Sequence, residues 1–479
     1  MPTATYKTVI HWFRRDLRLS DNTALHHASL SAEEVVPVYL LSSWKKNHAW
    51  TGPGRQKFLC GCLESLAKNI ETRDGRLIIR STSPSQPDAI EQLIKDSNAE
   101  AIFFNRDPDP FGREMEQAVR ERCRSLGVEV HDHKDIVLHE PDEILTGSDT
   151  PYRVYTPYSI NWFSAPKTEP LPRPKHFHTP AEISSDDLPT LAHWKMDGAA
   201  DDIDILKPGE RAARDRLRKA LDGPLLSYDQ QRNIPAADVS SHLGADLRYG
   251  TLSVREIFHA AKSAANEASA ASYRTSLHTF QKQLAWREFF MAILGHYPEV
   301  LEHEFNEKWR GLPWADPDKN DALVRWQQGR TGFPIVDAGM RQLVQTGFMH
   351  NRVRMITAMF LTKDLHIDWR HGERFFLQHL IDGEVANNNG GWQWSAGTGA
   401  DAAPYFRIQN PWTQTERHDP DGEYIKTWVP ELAKVDAKKF TAPPKDSDTP
   451  IADDYSSPIV DHKTAREETL AMFKKHQGG

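Results

Sequence analysis

Residues 8–21 read TVIHWFRRDLRLSD, an apolar, β-rich run from Thr8 to Phe13 halted by Arg14 and Arg15. The run is too short for the core of a signal peptide. Four similar runs follow, at Val35–Leu41, Leu77–Arg80, Ala101–Asn105 and Val128–His133. Between them, Arg55–Glu71 and Gly112–Leu126 carry apolar residues at spacings of three and four, as amphipathic helices do. Short buried strands alternating with helices predict an α/β N-terminal domain built on a doubly wound parallel sheet. No GxGxxG follows the first strand, so a dinucleotide dehydrogenase is a poor reading. A ligand here would sit at the carboxyl ends of the strands.

At 479 residues, with 39% hydrophobic and 26% charged content, the chain is long enough for more than one core and reads as soluble and globular. Its 59 basic and 67 acidic residues leave a net charge of −8, which excludes a generally basic nucleic-acid coat but not a local basic patch. Seven of the eight excess negative charges lie before Leu206, so an anionic partner is expected on the second part. Cys60, Cys62 and Cys123 can build neither a disulfide framework nor a four-ligand zinc site, which points to a reducing cytoplasm and no metal. No stretch approaches 18 uncharged apolar residues, so no membrane span is expected.

Prolines 166, 170, 172, 174, 180 and 189 make residues 165–189 a long connector. After Leu206 helical patterns dominate, at Arg211–Leu221, Val254–Ala270, Ser276–Leu294, Val324–Gln328, Ile335–Thr346, Asn351–Thr362 and Gly372–Ile381. The expected organisation is an α/β domain over 1–135, a connector over 136–205 and an all-α domain over 206–479. The tail from Thr441, rich in Pro, Asp, Ser and Lys, reads as a short flexible end.

Nine of the fourteen tryptophans fall after Ala285. For any one of them, core filling is a sufficient account. The segment NNNGGWQWSAGTGADAAPYFRIQNP at 387–411 shifts the balance, because consecutive Asn and Gly permit tight turns and close approach to a flat ligand. Trp392 and Trp394 are two apart and cannot share a helix face. Ser240 and Ser241 are expected to lead a helix whose free N–H groups and hydroxyls suit a pyrophosphate, although serine caps many helices with no ligand. In GFMHNRVRM, residues 347–355, Asn351 and Met355 lie one turn apart beside Arg352 and Arg354. With Trp286 as a stacking face this suits phosphates and bases, or a solvated basic turn over a core methionine.

The ordered motifs WFRRDLRLSDN (12–22), YDQQRNIPA (228–236), WREFF (286–290), TGFPIVDAGMRQL (331–343), MHNRVRM (349–355), LIDGEVANNNGGWQW (380–394) and DAAPYFRIQNP (401–411) closely resemble the DNA photolyase/cryptochrome family over nearly the whole chain. Within it they look most like class I cyclobutane pyrimidine dimer photolyases. The resemblance implies an α/β antenna domain, a helical domain holding FAD, and light-driven electron transfer from reduced FAD that splits the dimer in UV-damaged DNA. It assigns FAD contacts to Tyr228, Ser240, Ser241, His242, Leu243, Gly244, Arg287, Asn351, Asp382, Gly383, Glu384 and Asn388, the last beside flavin N5. Trp286, Trp394 and Met355 would line the lesion pocket. Arg232, Gln283, Arg287, Asn351, Arg352 and Gln414 would meet DNA. Trp392, Trp369 and Trp314 match the relay that photoreduces the flavin. The family also suggests a monomer.

This sequence departs from the pattern at Gln283, where class I enzymes usually carry Glu. A Gln there is familiar in the (6-4) photolyase branch, but that branch relies on histidines at the positions of Asn351 and Met355, and neither is present. Ser240 and Gly244 replace a usual Thr and Ser. FFNRDPDPFGRE (103–114) with Arg248 resembles deazaflavin-binding members, yet the same cleft takes 8-hydroxy-5-deazaflavin, methenyltetrahydrofolate or flavin in different relatives. Asp107, Pro108, Asp109 and Pro110 would also make a good turn with nothing bound. The alternatives to repair are a flavin photoreceptor without repair and a non-catalytic DNA-binding module; the module leaves the tryptophan series unexplained.

Overall fold

The computed structural model describes residues 4–41, 50–82, 85–444 and 449–478. Five parallel strands, β1 (Tyr6–Phe13), β2 (Ala32–Leu41), β3 (Ile78–Ser81), β4 (Ala101–Asn105) and β5 (Glu129–His133), pair in the order β3-β2-β1-β4-β5. β1 is central, with Ile10 facing Val36 on one side and Ile102 on the other. Helices cover both faces, so β1, β2 and β4 are buried on both sides and read as continuous apolar runs, without polar alternation. Helices Thr23–Ser31, Gln86–Ser97 and Pro110–Ser125 start where Asn22, Ser85 and Asp109 accept a hydrogen bond from a first-turn N–H.

Two compact units divide the chain: Met1–Asp201, Leu206–Leu226 and Ser241–His296 form the first, and Asp202–Ile205, Ser227–Ser240 and Tyr297–Gly479 the second. Within the first unit a buried ion network ties residues 241–296 to the sheet: Arg255 donates to Asp135 at 2.6 Å and to Asp21 at 3.0 Å, while Arg18 donates to Asp135 at 2.6 Å and to the Gly250 carbonyl at 3.2 Å. The two arginines hold the Asp135 carboxyl well below its ordinary range against the cost of burial. The connector runs along the sheet side of this unit, where Val35 N–H donates to His178 O and Asp186 N–H to Ile79 O.

The second unit is helical, with Pro334–Thr346, Asn351–Met359, Trp369–His379 and Val385–Ala396 packed around Trp326, Phe333, Phe360, Trp369, Phe376, Trp392 and Trp412. Asn351–Met359 runs on into a π turn over Phe360–Asp364. The tail is no flexible end throughout, because helix His462–Gly478 closes it and buries Phe473 against Trp309 at 5.0 Å and Tyr405 at 5.4 Å. The polar composition around residues 441–460 hides that amphipathic stretch; residues 445–448 lie outside the described chain. Among the described residues no helix is long and apolar enough to cross a membrane, and no cluster of His, Cys, Asp or Glu could hold a metal.

Candidate functional site

The candidate residues fall in both units. In the second, residues 385–396 form a helix, whereas the asparagines and glycines suggest turns. Tertiary hydrogen bonds override the local preference: Asn388 Nδ2 donates to Glu373 O, Asn389 Nδ2 to Val300 O and Glu373 Oε1, and Gln393 Nε2 to Val300 O, all at 2.8–2.9 Å. Each buried amide is satisfied outside its own helix, so it does not compete for the helix backbone. Trp392 is buried and Trp394 half-buried, on different faces as their spacing requires. Phe376 lies 4.9 Å from Trp392 and Trp326 lies 6.0 Å away. Gly372 permits this packing, since a Cβ there would stand 2.0 Å from the Trp392 ring.

Gly372 and Trp369 are three apart on one helix, so the face that meets Trp392 also carries Trp369. Trp314 joins from a neighbouring segment, where Ala315 pairs with Ile367 and donates to His366 O at 2.7 Å. Trp392 and Trp369 are buried and Trp314 is half-buried against the same core. The indole nitrogens of Trp392 and Trp314 are buried with no acceptor among the described residues, but Trp369 Nε1 donates to Glu304 at 3.2 Å.

Asp382 and Glu384 flank Gly383 just before this helix, and Glu384 accepts from Val385 N–H as its N-cap. Arg354 Nη2 donates to Asp382 Oδ2 at 2.8 Å. Asp382 Oδ1 is buried and accepts nothing among the described residues, so it fits a donor from outside the chain such as a ribose hydroxyl. Asn351 and Met355 share a face, with Asn351 Nδ2 4.0 Å from Met355 Sδ. Arg352 donates to Asn233 Oδ1 at 2.8 Å; burial, Arg232 and Arg417 all depress its pKa. Burial first, then Arg352 and Arg417, push His418 down to about 4. The side chain of Arg232, half-buried beside Tyr228 in its short helix, thus belongs to a basic cluster with Arg352 and Arg417, near the helix Pro411–His418 that carries Gln414. Sequence reading passed over Arg417; its place three residues after Gln414, on the next turn, was the available signal.

In the first unit, helix Ala271–His296 carries Gln283, Trp286 and Arg287. Trp286 stacks on Tyr155 at 3.7 Å and 9°, so one ring face is already covered. Gln283 Nε2 donates to Thr279 O at 3.3 Å. Arg287 donates to Ile136 O at 3.0 Å, and burial pushes it down to about 10. Ser240 and Ser241 do not lead a helix. The nearest one is only Gly244–Tyr249, with Leu243 as its uncapped start and His242 in the left-handed region at φ 53°, so the serines stand in irregular backbone. Arg15 pairs with Asp107 at 2.8 Å, and burial with neighbouring Arg15 and Arg55 lowers Arg248 to about 9. Asp109 caps the helix Pro110–Ser125, which accounts for the Asp-Pro run without a ligand.

Burial pushes the Glu373 carboxyl up to about 7. Because this lies above its unfolded value of 4.5, the native state binds the proton more tightly between those values, and stability is lost as pH rises through them. Glu373→Gln keeps an acceptor for Asn389 and removes the titration. It is expected to be neutral near pH 4 and to stabilise by up to about 3 kcal/mol at pH 8. Urea midpoints across that range check this; a difference that does not grow with pH would refute it.

Residues 280–475 match the model for the FAD binding domain of DNA photolyase, and residues 9–175 match the DNA photolyase model. The chain belongs to the DNA photolyase family. It is 38% identical to the deoxyribodipyrimidine photo-lyase of Synechococcus over 476 residues, covering 98% of this chain and 96% of that one. A bacterial class III photolyase from Agrobacterium tumefaciens is similar at a TM-score of 0.90 and 37% identity, covering 99% of this chain and 98% of its own. An archaeal photolyase from Sulfolobus tokodaii, which contains two FAD molecules, is similar at 0.83 and 28%, covering 98% of this chain and 100% of its own.

Proposed function

We propose that the protein is a light-driven lyase that splits cyclobutane pyrimidine dimers in DNA. The observation that carries the reading is the series Trp392, Trp369 and Trp314, which starts on the helix of Asn388 and ends half-buried. FAD, when bound, supplies the light-excited electron. Asp382, with the acceptor oxygen left over by Arg354, and Asn388, with an amide fixed by Glu373, would hold it, together with Tyr228, Ser240–Gly244, Arg287, Asn351, Gly383 and Glu384. The three indoles would resupply electrons by short hops.

Arg232, Arg352 and Arg417 offer phosphates a local positive surface on a chain of net charge −8, so affinity for DNA should fall with salt. Trp286, Trp394 and Met355 would wall the lesion, which leaves its stack more cheaply than an intact pair does. Gln283 and Gln414 would contact it or its backbone. In this reading residues 1–135 carry the antenna, 136–205 connect and 206–479 hold FAD and DNA. The arginines around Arg248 favour an anionic second chromophore, an 8-hydroxy-5-deazaflavin, a methenyltetrahydrofolate or a second flavin.

The test is repair of a thymine cyclobutane dimer in single-stranded DNA by the reduced protein under blue light, with a dark control, a (6-4) lesion in parallel and binding followed at rising salt. Light-dependent loss of the cyclobutane dimer alone is expected, and Gln283→Glu should raise the yield per photon. Repair of neither lesion with FAD bound would favour a flavin photoreceptor, the reading that Gln283 supports by placing an amide where the usual enzyme has a carboxylate.

A further inference from the structure

Among the described residues, the middle indole of the series has a carboxylate and a guanidinium against it that the other two lack. Trp369 is fully buried, and its Nε1–H donates to Glu304 Oε1 at 3.2 Å, whereas Trp392 and Trp314 have buried N–H groups with no acceptor among the described residues. Glu304 is itself buried and accepts from Arg370 Nη1, also at 3.2 Å. The Arg370 guanidinium lies 4.5 Å from the Trp369 ring centroid. Asp368 at 3.0 Å and the Glu302 carbonyl at 2.6 Å fix Arg370 in that position.

A neutral indole suits both neighbours, since its face attracts the guanidinium and its edge donates to the carboxylate. An indole that has lost an electron does not treat them alike. The positive charge is repelled by Arg370 and attracted by Glu304 and Asp368, and the N–H becomes a stronger donor. Of these three charges two are carboxylates, so their sum favours the charge at Trp369.

We propose that Glu304 is a positioning residue that stabilises the positive charge on Trp369 relative to Trp392, so that the charge passes outward along the relay, with Arg370 setting the opposing bias. The step is one electron passing from Trp369 to the radical cation of Trp392: Trp392 returns to the neutral indole, Trp369 becomes the radical cation, and its proton stays on Nε1 in a strengthened hydrogen bond to Glu304. This rests on the relay assigned above and explains why charge would move from Trp392 outward without falling back.

The test compares Glu304→Gln, Arg370→Gln and Trp369→Phe in the FAD-loaded protein, with thermal unfolding to confirm that each folds. Ultraviolet resonance Raman spectra in the dark, taken as a difference from Trp369→Phe, report the hydrogen bond of the Trp369 N–H directly. Transient absorption reports the lifetime of the tryptophan radical cation. Glu304→Gln should weaken the N–H signature and shorten that lifetime by about tenfold or more. Arg370→Gln should lengthen it, an opposite sign that a purely structural role would not produce. Lifetimes within twofold of wild type in both charge variants, with Trp369→Phe abolishing photoreduction, would overturn the proposal and leave the relay standing. Undiminished photoreduction in Trp369→Phe would overturn the relay reading itself. If Glu304→Gln does not fold, the sign of the Arg370→Gln effect decides.

Discussion

Trp392→Phe is expected to slow light-driven reduction of bound FAD by about tenfold or more, while the same variant, reduced chemically, still repairs dimers. A phenyl ring is much harder to oxidise than an indole, so the first hop fails, whereas the lesion-facing residues are untouched. The substitution leaves part of the Trp392 volume empty between Gly372, Phe376 and Trp326, at a cost of about 1–2 kcal/mol, too little to unfold a domain of this size. Absorbance under blue light with an external electron donor gives the first rate, and dimer loss under the same lamp gives the second. Equal photoreduction in variant and wild type would place the first electron donor elsewhere.

Arg255→Leu is expected to destabilise the first unit by about 3–5 kcal/mol, because it leaves Asp21 without its guanidinium and Asp135 with only Arg18, both fully desolvated. Denaturant unfolding followed by fluorescence measures the loss. A cost below about 1 kcal/mol would mean that the arginine is not what joins helix Val254–Glu267 to the sheet. Leucine is the informative replacement, since it keeps the packing volume of the stem and removes only the charge and its donors.

These residues show what the sequence could and could not reveal. Strands β1, β2 and β4 were legible because burial on both faces leaves an unbroken apolar run, which needs no partner to be recognised. The helix Val385–Ala396 was not, because its asparagines are stabilised by Val300 and Glu373, groups distant along the chain. The same holds for the ion network of the first unit, since Asp21 and Arg255 are 234 residues apart and nothing local marks them as a pair. The order of the tryptophans could be matched to a family pattern, but the acceptor on Trp369 comes from Glu304, 65 positions away. Ser240 and Ser241 misled for the opposite reason: a good capping residue does not ensure that a helix follows it. The tail misled by composition, since a polar stretch precedes a helix whose one large buried ring is Phe473.

The division of the chain has a consequence for its synthesis. Each unit is assembled from three stretches, so the polypeptide passes from one to the other five times. On a translating ribosome the sheet strands emerge early, but Asp21 and Asp135 have no Arg255 to meet them, and the backbone amides of Leu138 and His139 have no Glu288 to receive them, until the helix ending at His296 has left the exit tunnel. The nascent N-terminal half therefore spends more than half of translation with its charged centre open, and a chain terminated at residue 135 or 205 is an unfinished object for chaperones and proteases.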